Sequence, residues 1–408
     1  MKSFPLLSLV LLISTLAYAG EKVLYDFQGG TDGYRPLGPL VFDPAGNLYG
    51  TTYYGGNDLC GLGCGTVFEL FPDGQGGWTE TVLYRFTGGA DGQQPDAGLI
   101  VDSQGNLYGT TIGSGADNCV PKCGSAFELS PGKNGWTITV LHAFKGGKDG
   151  GIVAGGLTAD AAGNLYGTTV SFGPAGHGTV FRLSDSGNDW ELRTLHAFGS
   201  DQRGSNPQGS IIMSASGTAI YGAAGYGGAD GYGVVYSLTL NSKGQWAEKV
   251  LHTFPGGKAG GNPTFGLSSD PAGNLFGIAT NTAKNMNLIY QLSPNGKGGW
   301  TEGTIYRFNY PRSGQPDSAG GNILVSQTGD AFGFGGGGSS EAGTIYELGE
   351  SGGKWRESLL FTFEGLSGGV LPSGSPIMDA KGNLYGVTVE GGSGCSGGSC
   401  GVVFEFTR

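Results

Sequence analysis

Six cysteines form three close pairs along the chain. The members of a pair lie four or five residues apart; the pairs are Cys60 with Cys64, Cys119 with Cys123, and Cys395 with Cys400. Thiols at this spacing can close a local disulfide or contribute ligands to Zn²⁺. A zinc site would need four thiolates from separate parts of the chain, whereas an even count of local pairs in an exported protein is typical of disulfides. We therefore predict three disulfides, each worth only about 2 kcal/mol because its loop is short.

Three aspartates stand in loops of the form Gly-Gly-x-Asp-Gly, and several tyrosines lie in similar glycine-rich segments. The aspartates are Asp32, Asp91 and Asp149, and the tyrosines are Tyr34, Tyr53, Tyr54, Tyr226 and Tyr232. Carboxylates in a loop can bind Ca²⁺, but the Asp-x-Asp-x-Asp-Gly spacing of a calcium loop is missing. We predict that each aspartate accepts hydrogen bonds from turn amides, with calcium as the alternative. Because tyrosine rings can stack on a sugar or a peptide, these eight residues are our candidate ligand face.

The histidines and the known catalytic motifs do not indicate an active site. Three histidines, His142, His196 and His252, occupy a position at which other copies of an internal repeat hold tyrosine. This exchange with tyrosine predicts a packing role. No His-Glu-x-x-His and no glycine-rich phosphate loop followed by a helix occurs. We predict no catalytic residue and no cofactor, although carboxylates from separate repeats could still be combined for glycoside chemistry.

The chain segments that carry these residues repeat every 54–59 residues. Seven aromatic-ended segments mark the period: VLYDF (23–27), VLYRF (82–86), VLHAF (140–144), TLHAF (194–198), VLHTF (250–254), TIYRF (304–308) and LLFTF (359–363). One period contains four short segments with strand composition, bounded by Gly, Pro, Asn or Ser. In residues 97–144 these segments are 98–102, 106–111, 124–129 and 136–144. Seven repeats of four antiparallel strands predict an all-β, seven-bladed β-propeller.

The two ends of the chain are predicted to share one blade. The segment 21–27 supplies only a fourth strand, and the last repeat supplies strands one to three. Pairing the two would satisfy edge hydrogen bonds that would otherwise stay open. An outer-membrane barrel also uses many strands, but its strands need about 9–11 residues, longer than most of these.

The segment NLYGTT recurs at 47–52, 106–111 and 164–169, with looser copies later. Five copies follow Asp-x-x-Gly, which predicts a tight hairpin with a glycine at positive φ and an aspartate that caps the turn amides. The aromatic residue is expected to pack between neighbouring blades, and the glycine to allow close backbone approach.

The sequence composition indicates where the protein is located and which partners it does not bind. Residues 1–19 have the positive start, apolar core and small-x-small end of a signal peptide, so residues 20–408 are expected to form one secreted, periplasmic or envelope domain. A formal net charge of −11 argues against nucleic acid and anionic membranes. No other stretch is apolar enough to span a membrane. We expect a monomer.

The run VLYRFTGGADGQQPDAGLIVDSQGNLYGTT (82–111), followed by GSAFEL (124–129), resembles the GloVer tandem repeat of secreted and surface bacterial proteins. The resemblance extends over 23–408 and implies propeller-like repeats without an assigned enzyme activity. In a propeller, the loops after the second and fourth strands share one face, which would carry the cysteines and the candidate ligand face. We therefore expect a non-catalytic propeller that binds an extracellular macromolecule or glycan on this face. The alternative is an extracellular enzyme, directed at a glycoside or small metabolite, with its active site at the central axis.

Overall fold

A computed structural model describes residues 20–113, 119, 123–187, 189–284, 286–308, 314–395 and 400–408. The predicted signal peptide lies outside the described residues. Within them the chain is all-β, with three 3-10 turns and no α-helix. The strands form seven antiparallel sheets in a ring, which confirms the seven-bladed propeller.

Six blades are built from consecutive strands. The first strand of the chain is β1 (Gly20–Asp26). Blade one holds β2 (Val41–Phe42), β3 (Leu48–Thr52), β4 (Thr66–Pro72) and β5 (Trp78–Arg85), and blade two holds β6 (Ile100–Val101), β7 (Leu107–Thr111), β8 (Ser125–Gly132) and β9 (Gly135–Ala143). Blade three holds β10 (Thr158–Ala159), β11 (Leu165–Thr169), β12 (Thr179–Asp185) and β13 (Trp190–Ala197). Blade four holds β14 (Ile212–Met213), β15 (Ala219–Ala224), β16 (Val234–Leu240) and β17 (Trp246–Thr253); blade five holds β18 (Ser268–Ser269), β19 (Leu275–Asn281), β20 (Met286–Pro294) and β21 (Trp300–Arg307). Blade six holds β22 (Pro316–Ala319), β23 (Leu324–Val325), β24 (Ala331–Gly337), β25 (Thr344–Ser351) and β26 (Lys354–Thr362); its inner strand is divided, because β22 and β23 both pair with β24.

Blade seven closes the ring. It joins β27 (Val370–Met378), β28 (Leu384–Glu390) and β29 (Val402–Thr407) to β1, in the order β1-β29-β28-β27. The β1 pairing with β29 is antiparallel and runs from Gly20 opposite Thr407 to Asp26 opposite Val402. The predicted sharing of one blade by the two ends is therefore confirmed, and the edge of β29 is covered.

The recurring NLYGTT segment is explained by its turn and its packing. In blade one, Asp43 Oδ1 accepts hydrogen bonds from the amides of Ala45 and Asn47 at 2.8 and 2.9 Å, and Gly46 has φ of 91°. The following aromatic ring, Tyr49, lies edge-on at 6.3 Å from Trp136 of the next blade. The same contact recurs as Tyr108 with Trp190, Tyr166 with Trp246, Tyr221 with Trp300, and Phe276 with Trp355. The segment thus joins each of blades one to five to the next blade.

Segments that lead into the inner strands touch one another around the axis. A Cβ built on Gly38 would lie 2.7 Å from the backbone of Ala97 in the next blade, and one on Gly374 would lie 2.8 Å from Pro39. Similar contacts join Gly155 to Gly209 and Gly266 to Ser210. Glycine is required in this inner ring because any side chain would separate the blades.

Candidate functional site

One face of the propeller carries both kinds of loop. Isolated backbone bridges join the segment after each fourth strand to the segment after the next second strand: Tyr34 with Tyr54, Gln93 with Gly113, Gly151 with Ser171, Ser205 with Tyr226, and Gly261 with Thr280. We call this the loop face. The opposite side, formed by the turns after first and third strands, is the turn face. All the predicted ligand-face residues lie on the loop face.

The three predicted disulfides are formed, on blades one, two and seven. Their Cα–Cα separations are 5.2 Å for Cys60–Cys64, 5.6 Å for Cys119–Cys123 and 5.9 Å for Cys395–Cys400, within the usual range. Each one packs on the first glycine of the loop that follows its blade. The three glycines are Gly88, Gly146 and Gly29, and a Cβ on any of them would lie between 2.5 and 3.3 Å from the nearer sulfur. The bridges therefore fix neighbouring loops to one another.

The loop aspartates bond to the strand that precedes them. Asp91 accepts hydrogen bonds from the Tyr84 hydroxyl at 3.0 Å and from the Thr87 amide at 2.7 Å. Asp32 is paired in the same way with the Tyr25 hydroxyl at 2.9 Å, and Asp149 with His142 Nε2 at 3.1 Å. The separation is seven residues each time, so the pair belongs to the repeat.

The three repeat-position histidines pack as tyrosines do elsewhere. The His142, His196 and His252 rings lie edge-on at 4.6–4.8 Å from the phenylalanine two residues later. Burial lowers the pKa of all three, that of His196 to about 4. Their surroundings favour the neutral ring, as the exchange with tyrosine predicted.

The tyrosines of the candidate ligand face fall into two groups. Tyr226 and Tyr232 lie together on blade four, and a Cβ on Gly256 would lie 2.5 Å from the Tyr232 ring. Tyr232 thus takes the packing place that a disulfide has in other blades. Tyr34, Tyr53 and Tyr54 cluster on blade one: the Tyr54 ring centre lies 4.7 Å from that of Tyr53 and 5.4 Å from that of Tyr34.

Two charged residues beside this cluster were missed by the sequence analysis. Arg35 lies between the tyrosines in the backbone ladder, since its carbonyl accepts a hydrogen bond from the Tyr53 amide at 3.1 Å. Asp96 follows Pro95 in the inner ring, and its Oδ1 is buried without a hydrogen-bond partner. Burial raises the pKa of Asp96 to about 7. The pKa of Tyr53 is raised by burial first, then by Tyr54 and Asp96, and lowered by Arg35. These groups therefore share one electrostatic environment.

Two cavities lie away from this cluster. One of ≈ 480 Å³ opens on the turn face beside the inner strands of blades three to five, lined by residues 158–161, 212–217 and 269. Asp160, an acidic residue in the cavity lining, accepts hydrogen bonds from the Asn164 amide and the Tyr166 hydroxyl. Burial raises the pKa of Asp160, but these hydrogen bonds outweigh burial and hold the pKa below its usual value. The other, of ≈ 520 Å³, lies between blades six and seven against Glu21. Neither contains a candidate ligand-face residue.

The sequence profile of the Gloeobacter/Verrucomicrobia repeat matches residues 118–334, just over half of the chain. The chain belongs to this repeat family. The resemblance noted in the sequence is thereby confirmed. No curated protein matches the chain.

Several solved structures resemble the repeat-family fold at low identity. A putative 6-phosphogluconolactonase from Bacteroides uniformis is 15% identical, with a TM-score of 0.49 over 78% of this chain and 83% of that chain. A gluconolactonase from Xanthomonas campestris is 13% identical, with a TM-score of 0.43 over 96% and 90%. A putative 6-phosphogluconolactonase from Bacteroides fragilis is 12% identical, with a TM-score of 0.48 over 80% and 83%. No activity or substrate transfers to this chain at such similarity.

The described residues of this repeat protein contain neither a metal-binding cluster nor a membrane-spanning helix. No three His, Cys, Asp or Glu side chains in it are arranged to hold a metal ion. Among the same residues, no helix has the length and apolar character needed to cross a membrane.

Proposed function

We propose that this repeat protein is a secreted, monomeric, non-catalytic propeller that binds an extracellular macromolecule or glycan on its loop face. The observation that carries the proposal is the distribution of exposed apolar side chains. Of the six large hydrophobic residues exposed in the described part, five lie on the loop face: Leu59, Leu62, Tyr226, Tyr232 and Leu371. Leu59 and Leu62 are 71% and 61% exposed. Exposed apolar groups on this face can be buried against a partner, which would stabilise the complex.

The disulfides support both the location and the surface. Local disulfides persist in oxidising compartments outside the cytoplasm. Here they hold the loops of three consecutive blades, so those loops lose less conformational entropy when a partner binds. The formal charge of −11 disfavours polyanionic partners.

The alternative is an enzyme, directed at a glycoside or small metabolite, with its active site at the axis. Glycoside hydrolysis uses two carboxyl groups on either side of the scissile bond. At the inner-ring position of Asp96, the other six repeats carry Leu37, Ala154, Gln208, Thr264, Gly320 and Ser373. This position therefore supplies one carboxyl group and no partner for it, which favours binding over hydrolysis.

A retention experiment tests the proposal. Strand β29 runs from the loop face to the turn face, so a C-terminal tag on residues 20–408 would leave the loop face free. We expect the immobilised protein to retain envelope or polysaccharide material. A triple variant, Leu59→Ser with Leu62→Ser and Tyr226→Ser, should lose it. The matched control is Leu240→Ser, since Leu240 is the exposed hydrophobic residue of the turn face. Retention that the triple variant leaves unchanged, or substrate turnover without retention, would contradict the proposal.

A further inference from the structure

The seven repeats provide an internal comparison for each loop position. A residue that the scaffold needs should recur in most blades, whereas a residue that a ligand needs can stand in one blade alone. The backbone at position 35 illustrates the first kind. Six blades hold this position at φ between 47° and 60°; the residues are Arg35, Gln94, Ile152, Asn206, Asn262 and Leu371. The conformation thus belongs to the scaffold, while the side chain is free to vary.

Blade one departs from the other blades at Tyr53 and Arg35, and the segment that leads into blade two departs from its equivalents at Asp96. Where blade one has Tyr53 and Tyr54, blade two has Ile112 and Gly113, and blade three has Val170 and Ser171, whereas blade four has Tyr226 at the position of Tyr54; the register is fixed by the aligned bridges. Arg35 is the only cation at its position, and Asp96 the only acid at its own. The scaffold requires none of these four side chains, because other blades keep the same backbone without them.

The four side chains also have unused polar groups. The Arg35 guanidinium makes no hydrogen bond or ion pair with any described residue, and the same holds for the Tyr53 and Tyr54 hydroxyls. Asp96 Oδ1 is buried and unpaired. A buried polar atom without a partner destabilises the folded protein, so such atoms call for a ligand, a water or a catalytic role.

These groups lie close together where blades one and two meet, since Tyr54, Asp96 and Arg35 all act on the pKa of Tyr53. The Asp96 segment is next to Pro95, whose Cδ lies 2.7 Å from a Cβ built on Gly65 at the end of the blade-one loop. The Arg35 amide donates a hydrogen bond at 2.8 Å to the carbonyl of Cys400 on blade seven. The disulfides of blades seven and one pack on Gly29 and Gly88, in the two loops that lead to Arg35 and to Asp96.

We propose that Tyr53, Tyr54, Arg35 and Asp96 form a binding site for neutral saccharides at the inner end of blade one. This site rests on the proposed function and identifies its ligand class. The CH face of a sugar ring stacks on tyrosine, and its hydroxyls can donate to a carboxylate and accept from a guanidinium. Arg35 and the ionised form of Asp96 balance each other in charge, so above pH 7 the site suits a neutral ligand better than a phosphate or a uronic acid. An apolar wall with a few polar groups is the usual composition of a small-ligand site.

The test uses affinity electrophoresis of residues 20–408 in gels containing starch, laminarin, barley β-glucan or galactomannan. Alginate is the anionic comparison, and denatured casein the protein comparison. Each variant takes the residue of another blade: Tyr53→Ile, Arg35→Gln and Asp96→Ala. The control is Leu240→Asp, because blade three has Asp185 opposite Trp190 as blade four has Leu240 opposite Trp246. We expect a neutral polysaccharide to retard the protein, and each site variant to weaken its affinity at least tenfold. The control should bind as the wild type does.

Asp96→Ala separates a binding role from a structural one. Removal of a carboxyl group whose Oδ1 is buried and unpaired should raise the melting temperature while affinity falls, whereas loss of a structural residue would lower the melting temperature. If all three site variants bound the polysaccharide as tightly as wild type does, the proposed site would be wrong. If affinity were then lost in the Leu59, Leu62 and Tyr226 triple variant, the loop-face function would stand. If no neutral polysaccharide retarded the protein, or only alginate or casein did, the saccharide assignment would be wrong, and the retention experiment would decide the broader function separately.

Discussion

The guanidinium carbon of Arg408 lies 4.6 Å from the centre of the Phe332 ring. At five other junctions between neighbouring blades a tryptophan contacts the equivalent aromatic residue, as Trp355 contacts Phe276. Arg408 Nη2 also lies 2.8 Å from Glu347 Oε1, so the last residue of the chain holds blade seven against blade six. Blades six and seven are thus joined by different side chains than the other neighbouring blades, although the backbone arrangement is the same.

Removal of β1 should therefore destabilise the whole ring. A chain that begins at Phe27 leaves the edge of β29 unpaired and exposes the core between blades six and seven. We expect a much lower melting temperature, or no cooperative transition, compared with residues 20–408. Arg408→Ala is the mild comparison and should cost about 1 kcal/mol. Calorimetry measures both, and an unchanged melting temperature without β1 would contradict ring closure.

Replacement of Glu248 by leucine should stabilise the protein above neutral pH. Burial raises the pKa of Glu248 to about 7, and its Oε1 has no partner. Blades two and three place Ile138 and Leu192 at this position. Because the side chain is only partly buried, we expect a gain of only about 1 kcal/mol at pH 8.

The pH dependence of this gain follows from the raised pKa. The unfolded glutamate titrates near 4.5 and the folded one near 7, so the stability that protonation provides is complete below about 4.5 and lost as pH rises through 7. The histidines act in the opposite direction, since their lowered pKa values remove stability as pH falls below 6.5. The difference in melting temperature between Glu248→Leu and wild type isolates the glutamate. It should grow from pH 5 to pH 8; a difference that shrinks would refute the assignment.

Tyr236→Phe should raise stability by about 1 kcal/mol. The Tyr236 hydroxyl is fully buried without a partner, over Gly222. Blades one and two hold Phe68 and Phe127 at this position, which shows that the site accepts phenylalanine. Denaturant unfolding would measure the change. A destabilised variant would show that the hydroxyl bonds to a buried water.

Calcium should leave the melting temperature unchanged. The Asp91 carboxylate already accepts hydrogen bonds from Tyr84, Thr87 and Gly89, so a cation would have to displace them. Thermal unfolding with calcium and with a chelator makes the comparison. A rise in melting temperature that Asp91→Asn abolishes would establish a calcium site.

The sequence predicts features that depend on neighbouring residues or on the repeat itself. The blade count, the turn at Asp43 and the disulfides follow from local spacing, and the closure follows from which strands the two ends supply. Arg35 and Asp96 could not be recognised from residue type, because one is a lone arginine in a loop and the other a lone aspartate after proline. Alignment of the seven repeats would have marked both as exceptions. The packing of Tyr232 on Gly256 depends on a loop that the repeat pattern does not align.

The decisive measurement is the affinity of Tyr53→Ile for a neutral polysaccharide, compared with wild type and Leu240→Asp. We expect wild type and Leu240→Asp to bind equally, and Tyr53→Ile to bind at least tenfold more weakly with an unchanged melting temperature. Equal binding by all three proteins would contradict this expectation.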